Sequence, residues 1–81
     1  MATQKELYES ARTLIETRVI NARRCESEGQ NRSAVMYEDE ARGVFLLWLK
    51  MATGKNIEKY SKTLQHLIHP EVEQEGLDAS D

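Results

Sequence analysis

Residues 44 to 49 read Val-Phe-Leu-Leu-Trp-Leu, six consecutive side chains without a polar group among them. The residues on either side repeat with a helical period, so the run belongs to a helix. At about 100° per residue it passes right round that helix. A helix at a protein surface is polar on its far side, and one that is apolar all round has to be covered all round. Any fold must therefore place something on every side of this segment, and the chain offers 81 residues with which to do it.

That length makes one small domain. Such chains bury a small share of their surface and commonly add disulfides, metals or oligomerisation. The only cysteine, Cys25, rules out an internal disulfide and a multi-cysteine zinc site, which leaves oligomerisation. A lone thiol suits a reducing compartment. No stretch reaches the roughly 18 to 20 apolar residues that span a bilayer. The charged opening "MATQKELYES" lacks the apolar core of a signal peptide, so a soluble, cytoplasmic protein without membrane contact is expected.

Charge is unevenly placed. The chain carries a net charge of −3, and residues 70–81 hold Glu71, Glu73, Glu75, Asp78 and Asp81 with no base. This stretch starts at the only proline and is poor in apolar side chains, the composition of a disordered acidic tail. Residues 1–69 are left slightly basic and form the expected domain.

Three helices follow in order, giving an all-α fold. The first is expected over about 4–28. Thr3 and Glu6 have the spacing of a capping box, Leu7, Ala11, Leu14, Ile15, Val19, Ala22 and Cys25 form one face, and Gly29 suits a left-handed stop. The second is expected over about 32–53, capped by Asn31 and closed by Gly54. Its stripe is Ala34, Tyr37, Ala41, Val44, Phe45, Trp48 and Ala52. The third, about 57–69, opens at Asn56, carries Ile57, Tyr60, Leu64, Leu67 and Ile68, and ends before Pro70. The short link from Gly29 to Asn31 makes the first two helices a long antiparallel hairpin.

In this arrangement Val44, Phe45 and Trp48 face the first helix, while Leu46 and Leu47 point away, with Met36 on the side of Leu47. The third helix is too short to cover them all. Full burial of each large aliphatic side chain is worth roughly 1.5 to 3 kcal/mol, a large fraction of a small domain's stability. A homodimer or higher homo-oligomer is therefore expected through the second helix. Val44, Leu46, Leu47, Trp48, Met51 and Met36 are its candidate interface with a copy or a protein partner.

Arg18 interrupts the apolar face of the first helix and needs a partner there. A structural ion pair with Glu38 is the first expectation. The alternative is an anionic small ligand, such as a cyclic nucleotide, held by Tyr8, Arg12 and Arg18, with the guanidiniums on phosphate and the ring stacked. Arg23, Arg24 and Arg32 cluster at the hairpin turn, where Arg23 and Arg24 read as cations favoured near a helix C-terminus, with an anion at the start of the second helix as the alternative; Lys59, Lys62 and His66 on the third helix read as a solvated face, with nucleic-acid phosphates as a weaker alternative. No aromatic residues are interleaved among those last bases for nucleic-acid stacking. His66 and His69 lack a third ligand, Glu38, Asp39 and Glu40 spread round a helix instead of converging, and no nucleophile–base set or phosphate loop is present. Neither a catalytic site, a metal nor a cofactor is expected.

In size and architecture the chain resembles small helical regulators and inhibitors, including those that phages use against host or defence systems. The resemblance implies a non-enzymatic protein that acts by binding a macromolecular target.

Overall fold

A computed structural model describes residues 3–70. They form three helices: α1 (Gln4–Ser27), α2 (Asn31–Met51) and α3 (Ile57–Ile68). The fold is all-α, as the periodicity requires, and the two long helices pack together. The acidic stretch after Pro70 lies outside the described residues.

The start of α1 is fixed by its own sequence. The Glu6 N–H donates to Thr3 Oγ1 (3.1 Å) and the Thr3 N–H donates to Glu6 Oε1 (3.2 Å), a reciprocal capping box that satisfies two otherwise orphaned donors. Its end is a Schellman turn. Gly29 takes a φ of 77°, the Gly29 N–H reaches the Glu26 carbonyl, and the Gln30 N–H reaches that of Cys25 at 2.7 Å. Only glycine enters this left-handed region without a Cβ penalty.

That turn is tighter than the sequence suggests. Gln30, not Asn31, is the N-cap of α2, and its side chain makes no capping hydrogen bond. Asn31 is already helical, because the Ala34 N–H bonds to the Gln30 carbonyl at 3.0 Å. At its far end α2 stops at Met51, with Ala52 extended, short of the expected residue 53. The Thr53 N–H is bonded to Gln4 Oε1 at 2.9 Å instead of to a carbonyl of its own helix. Gly54, with φ 100°, therefore serves the loop to α3 and does not close α2. Asn56 does stand at the N-cap of α3, but through its backbone carbonyl, not its side chain.

The core lies where the three helices meet. Ala11, Ile15, Ala41, Trp48 and Leu64 are buried, with Leu7, Tyr8, Val19, Val44, Phe45, Tyr60, Leu67 and Ile68 packed around them. Alanines at Ala11, Ala22, Ala34 and Ala41 are nearly or wholly inaccessible, so the hairpin packs closely along its length. Tyr60 of α3 stacks on Tyr8 of α1, with centroids 4.0 Å apart and planes within 10°.

Candidate functional site

The six-residue apolar run divides in two. Trp48 is only 4% exposed and lies in the core beside Phe45, ring centroids 6.2 Å apart, while Val44 and Phe45 are half-buried. Leu46, Leu47 and Leu49 stay exposed, at 56%, 61% and 41%. Trp48 thus belongs to the core and does not stand on the outside of the hairpin. It faces α1, where its wheel position among Ala34, Ala41 and Val44 puts it.

α3 covers only one side of the hairpin. It meets α1 through Tyr8 and packs beside Val19. Leu14 sits about 120° round α1 from Tyr8, on the other side. There, between α1 and α2, runs a shallow groove of about 160 Å³ lined by Leu7, Ser10, Ala11, Leu14, Val44, Leu47, Trp48 and Met51. Leu14, Leu47 and Met51 are exposed along it, as is Met36 further along α2. Val44, Leu47, Met51 and Met36 of the expected interface are therefore brought to one face. Leu46 lies round the back of α2, about 100° from Leu47. Leu14 is a member the wheel did not reveal, since its spacing reads as core.

Arg18 stands about one turn beyond Leu14 on α1, toward the hairpin turn. Its Nε lies 3.2 Å from Glu40 Oε1, so its carboxylate partner is Glu40, not Glu38. On α2, Glu38 and Glu40 are about 160° apart. Glu40 shares the open side with Arg18, whereas Glu38 faces the α3 side, lining a hollow with Val19, Ile68 and Pro70, and sits 3.9 Å from Arg42. The contact of Arg18 with Glu40 is poorly aligned, and its buried Nε–H has no hydrogen-bond partner among the described residues; the same holds for Trp48 Nε1. Both orphaned donors belong to residues on or beside the groove.

The candidate anion residues do not converge. Arg12 pairs with Glu16 at 3.0 Å on its own helix, one face of Tyr8 is covered by Tyr60, and Arg12 and Arg18 project about 120° apart around α1. Arg23 shares its hollow with Glu26 and Glu38, a mixed-charge lining. Lys62 sits 3.7 Å from Glu58 on the exposed side of α3. Among the described residues no cluster of three or more His, Cys, Asp or Glu side chains stands at metal-binding distance, and no helix is long and apolar enough to cross a membrane.

Compared with protein-family models, curated proteins and solved structures, the chain matches none.

Proposed function

We propose that this chain is a small non-enzymatic helical interaction protein that self-associates through the open side of its hairpin, chiefly α2, and acts by binding a macromolecular target as a regulator or inhibitor does. The observation that carries this reading is the solvent-open groove between Leu7, Leu14, Val44, Leu47 and Met51. Its lining is apolar except for Ser10 and the Trp48 indole nitrogen, and no element of the described chain lies over it. Two buried donors lie beside it: Arg18 Nε, 3.2 Å from Glu40 Oε1 but poorly aligned with it, and Trp48 Nε1, which has no hydrogen-bond partner among the described residues.

Sedimentation of the wild-type chain and of Leu47→Glu tests the reading. Leu47 is mostly exposed, so the variant keeps its fold and helicity. It is expected to sediment as a monomer while the wild-type chain forms a dimer or larger assembly at micromolar concentration. A wild-type chain that is monomeric throughout, or a Leu47→Glu chain that assembles equally well, overturns self-association through this face.

A further inference from the structure

Where α3 ends, the chain leaves the hairpin beside a second hollow, on the side that carries α3. This hollow of about 250 Å³ lies between α1 and α3. Its apolar lining is Val19, Ile20, Leu67 and Pro70, and its polar lining is Glu16, Arg23 and His66. Ile20 is 59% exposed there, although α3 lies alongside. Glu16 is already paired with Arg12 at 3.0 Å. Arg23 makes no ion pair among the described residues. Glu26 and Glu38 share an inner hollow with it, but neither pairs with it, and Glu38 lies 3.9 Å from Arg42. The hollow thus offers apolar surface beside a guanidinium with no carboxylate in contact.

We propose that its occupant is the start of the chain's own acidic stretch, with Val72 against Ile20 and Leu67 and with Glu71 or Glu73 paired to Arg23. Residues 71–81 lie outside the described residues, and three observations select them. The first is position: Pro70 is part of the lining, and Val72, two residues on, reaches at most about 7 Å from it. A group tethered at the hollow binds at a high effective concentration, against which an untethered partner must compete. The second is pattern. Val72 stands between Glu71 and Glu73, so in an extended stretch the valine faces one way and both carboxylates the other. With the valine inward, the acids stand at the mouth, within reach of the long Arg23 side chain. The third is charge. All 11 Lys and Arg of the chain lie in residues 1–69, whereas five of the 14 acids lie beyond, with no base among them. Residues 1–69 keep a surplus of two positive charges, and ion pairs within them leave that surplus unchanged. The acidic stretch finds its cations only there. The contact does not depend on self-association, which uses the other side of the hairpin.

NMR of the full-length chain tests it. Amides of residues 71–73 are expected to relax as those of α3 do. Val72→Ser, which alters nothing in the three helices, is expected to shift the Ile20 and Leu67 methyl signals and to free residues 71–73; Arg23→Gln acts in the same direction. Residues 71–73 that move independently of α3 in the wild-type chain, or methyl signals indifferent to Val72→Ser, overturn the contact. Under mild oxidation, Ile20→Cys with Val72→Cys is expected to form a disulfide within one chain several-fold faster than Gln65→Cys with Val72→Cys. Gln65 is exposed on α3, five residues before Pro70, and lines neither hollow. The native Cys25 is buried and stays out of this reaction. Equal rates, or a disulfide between two chains, which places the stretch on a second copy, also overturn it. Leu47→Glu is expected to leave both readouts unchanged, so a chain that fails to self-associate can still show this contact.

Discussion

Arg18 shows how a single side chain orients the hairpin. It lies on the apolar face of α1, and its nearest carboxylate across the helix pair is Glu40 at 3.2 Å, the acid that shares its side of the hairpin. The sequence shows that Arg18 needs an acid and that Glu38, Asp39 and Glu40 are at hand. It does not show which side α3 takes, and that decides between Glu38 and Glu40. Both members of the pair are more than a third exposed, 34% and 43%, so solvent screens them and the pair contributes only about 0.2–1 kcal/mol. A double-mutant cycle on Arg18→Met and Glu40→Gln, read by urea unfolding, is expected to give a coupling energy in that range. The same cycle with Glu38→Gln is expected to give none. Coupling to Glu38 instead of Glu40 would contradict the geometry.

At the scale of the elements, the helix ends written as local chemistry are legible in the sequence, and those set by another part of the chain are not. Thr3 with Glu6 starts α1 and Gly29 ends it, each through bonds within a few residues. The end of α2 depends on Gln4, which is 49 residues from Thr53 in sequence, and no window along the chain shows that bond. The two glycines Gly29 and Gly43 differ in kind for the same reason. Gly29 is required by its own turn, at φ 77°, so Gly29→Ala is expected to destabilise the folded chain by about 1–2 kcal/mol. A thermal or urea melt measures this, and an unchanged or raised midpoint would mean that the turn does not hold the conformation described. Gly43 carries no such requirement: its φ is not positive and a Cβ there would meet no atom within 4 Å.

For the molecule as a whole, the division between covered and uncovered apolar surface gives two kinds of stability that one experiment separates. The sequence requires that something cover the run from Val44 to Leu49, and it supplies α3 as partial cover. It cannot show that α3 lies over Tyr8 and Val19 and so leaves Leu14 and Leu47 open, because that depends on how α3 turns back after Gly54. Leu64 of α3 is wholly buried where the three helices meet, and Leu64→Ala is expected to cost about 2–5 kcal/mol. Small proteins are held by only about 0.05–0.15 kcal/mol per residue, so this loss takes much of the total, and it takes it at every protein concentration. Leu47→Ala removes a side chain that its own chain leaves exposed. Its effect should therefore vanish in dilute solution and grow with concentration, because a partner that binds only the folded state raises the melting temperature by mass action. Melting curves over a hundredfold range of concentration are expected to show a rising midpoint for the wild-type chain, the same slope from a lower starting point for Leu64→Ala, and a flattened slope for Leu47→Ala. A wild-type midpoint independent of concentration would show that the groove adds nothing to stability through self-association, whatever else binds there.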